Sequence, residues 1–133
     1  MKKKNTEEKL PNVLYVEDHL QSYKMVKLLL KNKCKLINAI SVDEAMNLLK
    51  EQKIEIILLD ISLQKKEDGL ELITRIKPDS KLKEIPIIAV TAHAMAGDEK
   101  HFLKAGVDEY LSKPFTEDAL VSLVEKCLAK VKK

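Results

Sequence analysis

An α/β fold built around a parallel sheet is what this sequence predicts, and three observations carry that reading. Strand-like and helix-like periods alternate from end to end, the order that yields parallel strands joined by crossover helices. The strand-like runs are short and almost wholly apolar, as in strands covered on both faces. Four of them stop at polar residues, namely Glu17-Asp18, Asp60, Thr91 and Lys113, which a parallel sheet gathers along the edge formed by its strands' carboxyl ends.

The first strand is the apolar run at 13–16, bounded by Pro11-Asn12 and by the acidic pair. Val26, Leu29 and Leu30 then mark one face of a helix over about 20–32, and residues 36–40 form a second strand. Ser41 and Glu44, three apart, read as a capping box. Val42, Ala45, Met46 and Leu49 follow at helical spacing. Residues 54–59 are rich in β-branched side chains and almost wholly apolar, the most buried of the strands. The spacing of Leu72, Ile73 and Ile76 predicts a helix over about 69–77, closed by Pro78. Residues 86–90 make the fourth strand, with Pro86 tolerable at its first position. A weaker helix over about 98–105 is stopped by Gly106, and a short fifth strand covers 109–111. Leu120, Leu123, Val124, Cys127, Leu128 and Val131 give the last helix the clearest period in the chain. Right-handed crossovers place helices on both faces of the sheet.

The 133 residues suit one domain: a loosely held N-terminal tail over 1–10 and a folded unit over 11–133. No run of about 18 apolar residues is present to cross a membrane, and the charged start lacks the apolar stretch of a secretory signal. Cys34 and Cys127 lie among apolar neighbours and match neither a disulfide framework nor metal-ligand spacing. They read as buried thiols in a reducing compartment, so a cytoplasmic location is expected. Net charge is +3, yet six lysines (Lys2, Lys3, Lys4, Lys130, Lys132 and Lys133) sit at the two ends. Without them, 18 basic residues face 21 acidic ones. With few aromatics and Arg75 the lone arginine, the composition argues against a nucleic-acid interface.

The polar strand ends describe a phosphoryl site. Three carboxylates from Glu17, Asp18 and Asp60 repel one another unless a cation holds them, and a small set of hard oxygen donors suits Mg²⁺. Asp60 ends the most buried strand and is the best nucleophile, able to form an aspartyl-phosphate. Lys113 supplies an ammonium and Thr91 a hydroxyl for phosphoryl oxygens, in a reaction that needs positioning and charge neutralisation above all. Each residue alone has an ordinary reading. Acids after a strand often cap the next helix, an Asp at a strand end is often a turn residue, and a Lys is usually a solvated charge. Complementary chemistry at four strand ends together is what those readings leave unexplained.

These residues resemble the receiver domain of two-component response regulators. The likeness runs from about Asn12 to Lys130, through Glu17-Asp18, Asp60, Asp68-Gly69, Thr91-Ala92, Gly106 and Lys113-Pro114-Phe115. It implies a flavodoxin-like doubly wound sheet of order 2-1-3-4-5 with five helices. It also implies that Asp60 takes a phosphoryl group from a phosphohistidine on a sensor histidine kinase or histidine phosphotransfer protein. Asp18 and Asp60 would bind Mg²⁺ directly, Glu17 mostly through water, with the Ser62 carbonyl as a further ligand. Lys113 would hold a phosphoryl oxygen, and the Lys113-Pro114 bond would be cis. Thr91 and Tyr110 would form the switch that a downstream protein reads, without nucleic acid or membrane, in a protein expected to be monomeric. Such a receiver would catalyse its own phosphorylation and slow dephosphorylation and is otherwise no enzyme.

The sequence departs from the family in two places. The loop from Asp60 to Gly69 lacks the usual proline and is one residue longer, and His19 follows the acidic pair. His19 reads as a surface residue at a helix start, while His93 is the better candidate for controlling water access to the phosphate. Met1 and the lysine tail favour a stand-alone regulator over the receiver of a hybrid histidine kinase. A phosphatase on this fold would want a second acid where Ser62 stands. A flavodoxin-like cofactor binder would not place Glu17-Asp18 where a phosphate must sit. A docking module that is never phosphorylated is the remaining alternative.

Overall fold

The computed structural model describes residues 10–61, 66–91 and 98–131. Five strands alternate with five helices: β1 (Asn12–Val16), α1 (Leu20–Leu29), β2 (Lys35–Ala39), α2 (Val42–Glu51), β3 (Ile56–Asp60), α3 (Lys66–Ile76), β4 (Ile87–Thr91), α4 (Asp98–Ala105), β5 (Glu109–Ser112) and α5 (Glu117–Val131). The strands form one sheet of order β2-β1-β3-β4-β5 with every pair parallel, as the alternation of periods predicts.

Side chains alternate across a strand, so the sheet sorts its residues into two cores. Val13 and Tyr15 of β1, Ile56 and Leu58 of β3, Ile88 and Val90 of β4 and Leu111 of β5 pack on one face. Val26, Leu30, Leu120, Val124 and Cys127 from α1 and α5 cover them. Leu14, Val16, Ile57, Leu59, Ile87 and Ala89 occupy the other face beneath the apolar sides of α2 and α3, with Ala105 and Tyr110 against that core. Central strands β3 and β4 are buried along their whole length, which is why their sequences show an apolar run and no alternation.

Local chemistry sets the helix limits. Ser41 Oγ accepts the Glu44 N–H at 3.1 Å, and Glu44 Oε1 reaches back past the N-cap to accept the Ile40 N–H at 2.7 Å, a variant of the expected capping box. Strand β3 starts two residues later than the sequence reading, the other strands shift by at most one, and two helix boundaries differ by three. Helix α1 ends at Leu29, earlier than the apolar period suggests, because residues 30–33 turn the chain back toward β2 with Cys34 N–H bonded to Leu30 O. Helix α3 begins at Lys66 and takes in Gly69. A glycine costs a helix about 1 kcal/mol relative to alanine and need not mark its start. Both cysteines are buried, and burial raises each thiol to about 11, with nearby Glu109 adding to the effect at Cys127. Among the described residues, no helix is long and apolar enough to cross a membrane.

Gly106 ends α4 with φ +125°, a backbone region that side chains rarely enter, and the Lys77 side chain lies against it. Gly106→Ala is expected to destabilise the fold by about 1–3 kcal/mol. The lysine stem can move but the backbone strain cannot, so adding Lys77→Ala should not restore the urea midpoint. Full recovery in the double variant would show that the clash, not φ, is the cause.

Candidate functional site

The residues at the carboxyl edge are positioned by the ladder itself. Bonding continues one residue past three strands: Glu17 N–H donates to Ala39 O at 2.9 Å, Ile61 N–H to Val90 O at 2.9 Å and Lys113 N–H to Thr91 O at 2.8 Å. Val16 pairs with Leu59, so Glu17 and Asp60 are the next residues on neighbouring strands. Alternation assigns Glu17, Asp60 and Lys113 to the face of Tyr15, Leu58 and Leu111, whereas Thr91 falls on the face of Ala89 and Tyr110.

Asp60 and Glu17 are almost wholly buried, at 2% and 3% exposure. Lys113 Nζ donates to Asp60 Oδ2 at 2.8 Å and lies 3.5 Å from Glu17 Oε1. Burial would by itself lower the Lys113 ammonium, but its hydrogen bond to Asp60 and the two negative charges outweigh that and hold it above its ordinary value. The opposite holds at Glu17. Burial, then the hydrogen bond and charge of Asp60, push its carboxyl from 4.5 up to about 7 against the pull of the His19 N–H and Lys113. Two carboxyl groups and one ammonium thus share a buried corner, which would carry excess negative charge were both acids ionised.

The other sequence-predicted residues lie at different depths. Asp18 is exposed, Thr91 is buried at the end of β4, and Tyr110 is half-buried against the α2–α3 core. The Lys113-Pro114 peptide is cis. Ser62 and His93 lie outside the described residues, as does the tail at 1–9. His19 is the exposed N-cap of α1, and its side chain makes no capping bond. Beside Lys113 opens a groove of about 580 Å³ lined by Tyr15, Ser22, Met25, Pro114 and Phe115 as well as the lysine.

Two residues that the sequence reading passed over hold Glu17. Tyr15 Oη donates to Glu17 Oε1 at 3.1 Å. Asn38 Nδ2 donates to the carbonyls of Tyr15 and Glu17, each at 3.0 Å, tying the end of β1 to β2. The only sequence signal was a hydroxyl two positions before an acid on a strand, where period two makes them neighbours, and a polar residue inside an apolar strand.

Among the described residues, no group of three acidic, histidine or cysteine side chains is gathered to hold an ion unaided. Glu17 and Asp60 still fit Mg²⁺ by their chemistry, since this ion keeps most of its waters and takes one or two carboxylates. A cation would offset the burial and the Asp60 charge that hold the Glu17 carboxyl above its ordinary value.

Comparison with known proteins identifies the family. The response regulator receiver domain matches residues 13–125. The chain belongs to that family. This receiver is similar to the polar-differentiation response regulator DivK of Brucella ovis, 35% identical over 118 residues that cover 88% of this chain and 95% of that one. Among solved structures it resembles a response regulator from Thermotoga maritima, with TM-score 0.80 and 27% identity over 90% of this chain and 98% of the other. The receiver domain of a Pseudomonas aeruginosa sensor histidine kinase, which has a magnesium ion coordinated in its active-site cleft, is equally close: TM-score 0.80, 27% identity, 90% and 98% coverage. The chain is therefore a receiver of two-component phosphorelay signalling, with the parallel order 2-1-3-4-5 of that fold.

The raised Glu17 carboxyl makes a pH prediction for the metal-free protein. The native state holds that proton up to about 7 while the unfolded chain releases it near 4.5, so folding binds protons between the two values. Stability contributed by this group is complete below 4.5 and is lost as pH rises through about 7. Urea midpoints without metal should fall across that window, and Glu17→Gln should flatten the difference. A wild type and variant with parallel pH profiles would contradict the assignment.

Proposed function

We propose that Asp60 is the phosphoacceptor of this receiver, and the single observation that carries this is its buried carboxylate bonded to Lys113 beside Glu17. One Asp60 oxygen attacks the phosphorus of a phosphohistidine on a sensor histidine kinase or phosphotransfer protein. The P–N bond breaks, the imidazole leaves with the bonding pair and takes up a proton, and an acyl phosphate remains on Asp60. Lys113, already 2.8 Å from Asp60, moves its hydrogen bond to a phosphoryl oxygen and neutralises part of the added charge. Glu17 and Asp60, with Asp18 from the exposed rim and the Ser62 carbonyl, are the residues that would hold Mg²⁺. When bound, the ion supplies charge neutralisation for phosphoryl oxygens. Hydrolysis of the acyl phosphate by water returns the carboxylate, so the receiver resets itself slowly without being an enzyme toward another substrate.

A partner must bring its phosphohistidine to this edge. Helix α1 carries the exposed apolar residues Leu20, Met25 and Leu28, and Met25 also lines the groove beside Lys113. This continuity supports docking of the phosphodonor across α1. On the opposite face, Thr91 ends β4 and Tyr110 lies against the neighbouring core. This supports a switch in which Thr91 follows the phosphate and Tyr110 moves, altering the surface of α4, β5 and α5 that a downstream protein reads. Residues 11–133 form the receiver unit in this reading.

Mass spectrometry after incubation with acetyl phosphate and Mg²⁺ tests the assignment. The wild type should gain one phosphoryl group, with the gain lost on adding a chelator and in Asp60→Asn. Labelling that survives Asp60→Asn would move the acceptor elsewhere. Lys113→Ala should still take up Mg²⁺ yet be phosphorylated on the order of a hundredfold more slowly, given that one removed electrostatic donor typically costs 10²–10³ in rate. A normal rate would remove Lys113 from the reaction.

A further inference from the structure

A buried phenol lies beneath this site, at the floor of the groove beside Lys113. Tyr15 is 1% exposed, with its ring packed in the core between the sheet and α1 and α5. A buried hydroxyl needs a partner, and Tyr15 Oη finds Glu17 Oε1 at 3.1 Å. The second Glu17 oxygen, Oε2, accepts the His19 N–H at 3.1 Å. Both oxygens are thus held from below and from the start of α1. Lys113 Nζ is the third neighbour, 3.5 Å from Oε1, but its shorter bond goes to Asp60.

We infer that Tyr15 is a positioning residue, which holds the Glu17 carboxylate toward the cation site and keeps a donor on it when Lys113 turns to a phosphoryl oxygen. The inference rests on the metal role proposed for Glu17. Two features of the chain support it. Tyr15 and Glu17 stand two apart on one strand, so alternation puts them side by side. Asn38 clamps the carbonyls of both residues, so their spacing cannot drift with the strand end. A neutral donor has a further physical merit: it orients a carboxylate without competing for the charge that a cation would bind, as an added ammonium would.

The test is Tyr15→Phe, which keeps the ring and removes one oxygen, compared in a double-mutant cycle with Glu17→Gln. Calorimetric titration with MgCl₂ should show affinity about tenfold weaker in Tyr15→Phe, the low end for partners that orient a metal ligand. The same substitution should change little in the Glu17→Gln background, because Tyr15 acts through that carboxylate. Amide exchange in the metal-free protein gives an independent readout. Tyr15→Phe should lower protection at His19 N–H, bonded to the other Glu17 oxygen, and leave the Cys34 amide, bonded to Leu30 O, as in the wild type. Unchanged affinity together with unchanged His19 exchange would overturn the inference. So would an equal loss of affinity in both backgrounds, which would mark a general effect on the fold. If the wild type takes up no Mg²⁺, the metal role of Glu17 falls, and the hold on the Glu17 carboxylate is then decided by His19 exchange alone.

Discussion

Two acids that cannot comfortably share a buried corner define this molecule. Glu17 and Asp60 are removed from water at adjacent strand ends, where burial, reinforced by the hydrogen bond and charge of Asp60, disfavours ionisation of Glu17. The Lys113 ammonium is the one charge of opposite sign within 4 Å of both among the described residues. It comes from the end of β5, on the far side of β4 from Asp60. The order β2-β1-β3-β4-β5 is therefore the condition for the charge arrangement. Were β1 or β5 placed elsewhere in the sheet, the same residues would not meet. The second negative charge, which ionisation of Glu17 would add, suits the corner to a cation and to the phosphoryl chemistry that follows from one.

Strand alternation divides the edge into two functions. Tyr15, Glu17, Asp60 and Lys113 belong with the α1–α5 core, while Thr91 and Tyr110 belong with the α2–α3 core. In the proposed function, chemistry occurs on one side and its consequence is read on the other, with β4 as the shared wall. That wall is buried throughout, and close-packed interiors transmit displacement because they have little free volume to absorb it. Helix α1 belongs to the chemical side. Its exposed leucines and methionine beside the groove distinguish it from α2, which buries most of its apolar residues.

The acidic pair shows how far sequence reading reaches. That Glu17 and Asp18 follow β1 was legible, because a short apolar run flanked by acids can be placed on a sheet edge. That one acid is buried and the other exposed was not, since both are carboxylates at adjacent positions and only the turn into α1 separates them. Tyr15 was hidden for a related reason. Inside an apolar strand a tyrosine reads as ring, and its hydroxyl acquires meaning only when its acceptor is known. Helix boundaries behaved in the same way: the capping box at Ser41 and Glu44 marked α2 from sequence, whereas Gly69 looked like a start and lies within α3.

By itself the sequence determined the class of fold, the order of its elements, and the set of polar residues at the ends of β1, β3, β4 and β5. Periodicity and burial are properties of segments, and each segment carries its own. The motifs at those strand ends also carried the resemblance to receivers that comparison then established. Tertiary structure alone decided which atoms meet: Lys113 with Asp60 at 2.8 Å, the Tyr15 hydroxyl on Glu17, and Asn38 across the end of β1. Such contacts join residues up to 53 positions apart. They depend on angles and distances summed over several strands, which no local pattern encodes.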